Sequence, residues 1–196
     1  EKRVMTIMFC DVRGFTAISE ALKSTPEVLT EVINTLLTDL SDDILACGGT
    51  IDKYMGDCIM AFWNAPSEDI NHREKSIKAA FAMSKAIDQL NLDLGRTEKD
   101  KLSVGIGINS GDCIVGNMGS DKRFDYTVLG DAVNLASRLE GQSANYGMQI
   151  ILGEETIKEL SSEEFKYFEL DLISVKGKLE PVSIYTVFED LKVIDE

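Results

Sequence analysis

The chain has 196 residues, 44% of them hydrophobic and 28% charged, with 20 basic against 34 acidic side chains and a formal net charge of -14. That length fits one domain with a substantial core, and the acidic excess speaks against nucleic acid or an anionic membrane face, since both need clustered Lys and Arg. Four cysteines without C-x-x-C spacing (Cys10, Cys47, Cys58, Cys113) and a single histidine, His72, at a polar helix start speak against disulfides, zinc and a Ser-His-Asp mechanism, and favour buried thiols in a reducing, cytoplasmic compartment.

No apolar stretch approaches the roughly 18 residues of a membrane span, and no signal peptide is recognised. The chain enters a strand almost at once. It reads as one domain over 1–196, cut from a longer multidomain protein whose sensor or regulatory region lies outside it and whose full length can be membrane-attached.

Arg3 to Cys10 is short and rich in β-formers, as a buried strand is. Asp11-Val-Arg-Gly-Phe-Thr16 follows, which places an acid at the end of that strand beside Gly14 and a helix start at Phe15 to Ala21. In α/β and α+β folds ligands bind at such ends. The amides around Gly14, Phe15 and Thr16 could cradle phosphate oxygens while Asp11 holds a cation; the plainer alternative makes Asp11 a turn or N-cap residue.

Thr25-Pro26 opens a long helix with an apolar stripe at Val28, Leu29, Val32, Ile33, Leu36, Leu37, Leu40, Ile44 and Leu45. Gly48-Gly49 stops it. Ile51 to Asp57 and the apolar run Cys58 to Trp63 then read as two strands turned at Met55-Gly56. Lys53 and Asp57 would share a face only in an unbroken strand, so the turn predicts Asp57 at a hairpin tip, able to reach a metal, with Lys53 directed elsewhere. The plainer alternative leaves both solvated.

A second helix is expected over Asn71 to Leu92, with Ile77, Ala80, Phe81, Ser84, Ile87 and Leu90 inward. The strand Leu102 to Asn109 follows, and Gly105 and Gly107 within it predict close approach by another backbone. Ser110-Gly111-Asp112 reads as a turn with Cys113 to Met118 returning, and Ser120 to Tyr126 as a polar loop. A helix over Asp131 to Tyr146 should turn Val133, Leu135, Ala136, Leu139 and Ala144 inward and stop at Gly147. A strand at Gln149 to Leu152, a short helix at Glu154 to Leu160 and strands near Phe165 to Val175 and Val182 to Phe188 complete the chain. The order predicts an α+β fold: a ferredoxin-like βαββαβ core with additional C-terminal α/β elements.

Asp11 and Asp57 fall at one edge of that sheet, and two such carboxylates repel unless cations lie between them, as a pair of divalent ions does in nucleotidyl transfer. Asn134 and Arg138, at i and i+4, share a helix face; there the arginine could support charge on a phosphate or simply pair with Glu140 or a neighbouring surface acid.

Phe9-Cys-Asp-Val-Arg-Gly-Phe-Thr16, Asp52-Lys-Tyr-Met-Gly-Asp57, Gly105-Ile-Gly-Ile-Asn-Ser-Gly111, Tyr126-Thr-Val-Leu-Gly-Asp-Ala-Val-Asn-Leu-Ala-Ser-Arg138 and Val175-Lys-Gly-Lys178 together resemble the class III nucleotidyl cyclase catalytic domain, in order and over almost the whole chain. The resemblance implies that ATP is cyclised to cyclic AMP and pyrophosphate. It implies that Asp11, Asp57 and the carbonyl of Val12 bind two Mg²⁺ or Mn²⁺ ions, that Lys53 and Thr127 read the purine edge, that Asn134 positions the ribose, that Arg138 supports the α-phosphate, and that Lys176 meets the terminal phosphates. The proton acceptor expected with this chemistry is Asp11, or water through the metal.

It also implies sites shared across a homodimer, with the metal acids from one subunit and the base, ribose and transition-state residues from the other. Lysine donates to an adenine ring nitrogen and the Thr127 hydroxyl accepts from the exocyclic amine; guanylyl cyclases resemble one another in carrying Glu and Cys there. A slip in alignment would make Asp125 the reader in place of Thr127. Threonine at this position resembles the bacterial and soluble-cyclase branch, which adds bicarbonate to the expected effectors. A guanylyl or dual-specificity cyclase and a silent nucleotide-binding dimerisation module are the alternatives.

Overall fold

Met5 to Cys10 are all buried in the first strand, β1 (Lys2–Arg13), as befits a strand inside the sheet and flanked on both sides. The structure, a computed structural model, describes residues 1–98, 101–160, 164–175 and 180–189. Two helices follow, α1 (Phe15–Ala21) and α2 (Pro26–Ala46), then the hairpin β2 (Thr50–Met55) and β3 (Cys58–Trp63), and helix α3 (His72–Asp93). Next come β4 (Ser103–Ser120), β5 (Arg123–Leu129), α4 (Asp131–Tyr146), β6 (Ile150–Gly153), α5 (Glu154–Ile157), β7 (Phe165–Ile173) and β8 (Val182–Glu189). The strands form one sheet in the order β2-β3-β1-β4-β6-β8-β7, with β5 paired to β4. β1 lies antiparallel between β3 and β4, which is the expected βαββαβ core.

The alternation of side chains along β1 separates two cores. Met8, Cys10 and Val12 pack with α2 and α3 through Leu36, Leu40, Ile44, Ile77 and Met83. Met5, Ile7 and Phe9 face the other way and pack with Ala132 and Ala136 of α4. Helix α4 sits so close to the sheet that a Cβ on Gly107 would come within 2.1 Å of the Glu140 nitrogen and 2.3 Å of the Ala136 oxygen. The backbone approach expected from the glycines is therefore real.

The turn expected at Ser110-Gly111-Asp112 does not exist. β4 runs unbroken and stays in register with β1 from Arg13↔Ser103 to Lys2↔Ile114. Ser110 turns inward instead and hydrogen-bonds the Thr6 and Thr156 hydroxyls at 2.8 and 3.1 Å. The chain reverses after Ser120, so most of the expected polar loop is strand β5, paired from Ile114↔Leu129 to Ser120↔Arg123. Its exposed polar alternation belongs to a hairpin that extends beyond the core.

Smaller corrections follow from burial. Val28 and Leu45 of the α2 stripe are 44% and 55% exposed, because only the Leu36, Leu40 and Ile44 side of that helix meets the sheet. In α4 the inward set is Ala132, Leu135, Ala136, Leu139 and Ser143; Ala144 is exposed and Val133 only partly buried. Phe81 and Leu90 of α3 are likewise half-buried. The helix expected to Leu160 ends at Ile157. His72 is buried rather than at a polar surface. Its Nδ1 lies 2.6 Å from the Thr6 hydroxyl, and its Nε2 lies 3.2 Å from Nη1 of Arg73, which also donates to Glu159. The four cysteines are free as expected, but only Cys10 and Cys113 are buried, while Cys47 and Cys58 are half-buried.

Candidate active site

Asp11 is a residue of β1 and not a helix cap; the N-cap position of α1 belongs to Gly14, at φ 83°. By alternation the Asp11 side chain lies on the α4 face of the sheet, beyond Phe9. Its partner across the β1–β3 ladder is Cys58, and Asp57 immediately precedes that residue. The β2–β3 turn is made of Gly56, at φ 69°, and Asp57, so the carboxylate stands at the hairpin tip as expected. Val12 is buried on the opposite face, so its carbonyl is the part able to serve as a ligand.

The closeness of the two acids has an electrostatic consequence for Asp11. Burial, then the charge of Asp57, raise the Asp11 carboxyl above its ordinary pKa, while Arg13 acts against the shift. The same negative potential reaches further. Glu140, on α4, is pushed up to about 7 by burial and then by Asp11, and Cys58 up to about 12 by burial and then by Asp11, Glu140 and Asp57. Arg13 is the cation set among them, and it donates to the Ser143 hydroxyl.

A concentration of hard carboxylate oxygens that destabilise one another suits a divalent cation. Among the described residues no three His, Cys, Asp or Glu side chains group as a complete metal site. Mg²⁺ commonly takes one or two protein carboxylates and completes its shell with water and substrate phosphates. Asp11 and Asp57 fit that pattern.

Lys53 reaches the same face by a different device. β2 is in register at Ile51↔Ala61, then carries an extra residue, Asp52, and resumes at Lys53↔Met60. Ile51 and Ala61 belong to the α2–α3 core, whereas Met60 belongs to the α4-side core. Without the bulge Lys53, two residues after Ile51, would point at the helices; with it, the lysine shares a face with Asp11.

Asn134 is exposed on α4 and Arg138 half-buried, both off the inward set of that helix. The alternative pairing of Arg138 with Glu140 is not made, and among the described residues Arg138 has no ion pair. One chain brings the two acids together, and among the described residues neither Lys53 nor Arg138 forms an ion pair with them.

Thr127 is half-buried on β5 opposite Gly116, while the alternative reader, Asp125, is exposed and lies 3.6 Å from Arg123. Gly14 and Thr16 are exposed and Phe15 half-buried at the start of α1. Lys176 and Lys178 lie outside the described residues, although Val175 just before them is buried.

The family model for the adenylate and guanylate cyclase catalytic domain matches residues 1–189. The chain belongs to that family. This cyclase domain is 42% identical to an adenylate cyclase of Anabaena cylindrica over 193 residues, which cover 94% of the chain and 37% of the Anabaena protein. It thus spans little more than a third of that curated relative's length. It superposes on the crystal structure of the adenylyl cyclase CyaB from P. aeruginosa with a TM-score of 0.83 at 37% identity, covering 96% of this chain and 95% of that one. The guanylyl cyclase Cya2 matches with a TM-score of 0.80 at 32% identity, covering 95% and 92%. The fold is therefore that of cyclase catalytic domains, including enzymes named for either purine.

Sequence reasoning missed Arg13, Glu140 and Ser143 around the acids, and Asp52 beside Lys53. Arg13 had a signal, since it lies two residues beyond Asp11 and so on the same face of the strand. Glu140 had none, because its place depends on how α4 crosses β4.

Proposed function

We propose that this domain is an adenylyl cyclase, converting ATP to 3′,5′-cyclic AMP and pyrophosphate at sites shared between two copies of the chain. The observation that carries the reading is the place of the charges: Asp11 and Asp57 stand together at one sheet edge, while Lys53 and Arg138, at motif positions of the family, form no ion pair with them among the described residues of one chain. A symmetric partner supplies Lys53, Thr127, Asn134 and Arg138 to the acids of the first copy, and the reverse.

In this reading Asp11, Asp57 and the Val12 carbonyl hold two Mg²⁺ or Mn²⁺ ions, which when bound neutralise the triphosphate and acidify the ribose 3′-hydroxyl. The backbone from Gly14 to Thr16, together with Lys176, contacts the outer phosphates. Asn134 hydrogen-bonds the ribose and orients its 3′-oxygen toward the α-phosphorus. The oxygen–phosphorus bond forms as the bond to pyrophosphate breaks, and Arg138 offsets the charge that develops on the α-phosphate. The hydroxyl proton passes to Asp11 or to water.

Base choice rests on Lys53 as donor to an adenine ring nitrogen and Thr127 as acceptor from the amine. Because a threonine hydroxyl also donates, turnover of GTP is the second reading, and the structural likeness to a guanylyl cyclase favours testing it. Bicarbonate stimulation and control by a regulatory region of the longer protein belong to the same proposal. The test is cyclic-nucleotide formation from ATP and from GTP with Mg²⁺ or Mn²⁺, with and without bicarbonate at fixed pH. Cyclic AMP as the main product supports the reading; nucleotide binding without turnover under every condition supports the silent module.

A further inference from the structure

Asp52 is the bulged residue that turns Lys53 away from the α2–α3 core. Its side chain is only 1% exposed, and both carboxylate oxygens are buried without a hydrogen bond among the described residues. The cation beside it is Lys53, whose Nζ lies 3.1 Å from Oδ2 in an ion-pair contact, while the lysine side chain itself is 48% exposed. A carboxylate taken out of water this way needs its counter-charge. A lysine on four rotatable bonds, conversely, gains a fixed direction from a buried anion.

We propose that Asp52 is a positioning residue for purine recognition: its buried carboxylate pins the Lys53 ammonium at the place where it meets the base edge. The proposal rests on the cyclase reading for the identity of the base. Its physical core, the coupling of Asp52 to Lys53, does not. Held by Asp52, the ammonium presents its donor at one position, which suits a ring-nitrogen acceptor. Released, it can follow the carbonyl oxygen of guanine as well, so discrimination between purines weakens.

The decisive variant is Asp52→Asn, which keeps the shape and removes the charge. KM for ATP should rise about tenfold, the worth of one charge-assisted contact, with kcat little changed and the ATP-to-GTP ratio of kcat/KM narrowed by a similar factor. An equal fall in kcat on both nucleotides, with KM and the ratio unchanged, would show a merely structural role and overturn the proposal. A second measurement needs no turnover. Lys53→Ala, which strands the buried carboxylate, should lower Tm by about 5 °C, and adding Asp52→Asn to it should restore most of the loss. Additive losses in that cycle would overturn the coupling. If wild type makes no cyclic nucleotide, the cyclase reading fails while the Tm cycle still decides the pair.

Discussion

Asp11 faces Cys58 across the β1–β3 ladder, so Asp57, one residue earlier in the hairpin turn, brings a second carboxylate to the same sheet edge. The proximity is costly without a cation, since burial and then the charge of Asp57 raise the Asp11 carboxyl. Asp57→Asn removes that repulsion. Without divalent metal the variant should melt no lower than wild type, yet it should lose the rise in Tm that Mn²⁺ gives wild type by mass action and at least about 100-fold in turnover. Thermal melts in chelator and in Mn²⁺, beside an activity assay, check both parts.

Gly107 tests the seat of α4. A methyl group there meets the backbone of Ala136 and Glu140 well inside contact distance, and backbone cannot step aside as a side-chain end can. Gly107→Ala should cost about 3 kcal/mol in chemical denaturation, as overpacking does, and should reduce activity further by displacing Asn134 and Arg138.

Stability should depend on pH through His72. Burial, and then the charge of Arg73, lower its pKa from about 6.5 to about 4. The folded state thus binds fewer protons than the unfolded state between those values, and stability is lost as pH falls from about 6.5 to 4. Glu140 slopes the other way: raised from 4.5 to about 7, it favours the fold at low pH and loses that contribution as pH rises toward 7. Comparing Tm from pH 4 to 7 for wild type and His72→Gln isolates the histidine, whose removal should flatten the loss on acidification.

Base specificity should follow the two reading side chains. Lys53→Glu with Thr127→Cys replaces a donor by an acceptor at the purine edge, and such a mismatch is worth about 1 to 3 kcal/mol per contact. The ratio of kcat/KM for ATP over GTP should fall by at least about tenfold. An unchanged ratio would remove these two residues from recognition.

The core was legible because its signals are local. The 3.6-residue stripes of α2 and α3, the apolar run of β3 and the glycines of β4 each specify an element with one neighbour, and the βαββαβ order follows. Ser110-Gly111-Asp112 misled because its turn chemistry is satisfied otherwise: Ser110 hydrogen-bonds Thr6 of β1 and Thr156 of α5, while Gly111 lets Ala132 approach, to 3.0 Å of where its Cβ would lie. Partners 104 and 46 residues away decide the first, and the packing of α4 decides the second.

The site shows the same division. Asp11 and Asp57 were legible because each sits at a strand end beside a turn glycine. Asp52 was not, because a one-residue bulge is a matter of register between strands and leaves no mark in composition. His72 was misplaced for the same reason: Thr6 and Arg73 bury it, and neither contact can be read from the helix start alone.

The most direct test is complementation. In the proposed reading Asp57→Ala removes a metal acid and Arg138→Ala a transition-state residue, so each variant alone should be nearly inactive on ATP. Mixed, they form dimers in which one site keeps both wild-type contributions and the other has lost both. Recovery of a substantial fraction of wild-type cyclic AMP formation is the predicted result. A mixture as inactive as its components, with dimers shown to form, would contradict sites shared between two copies.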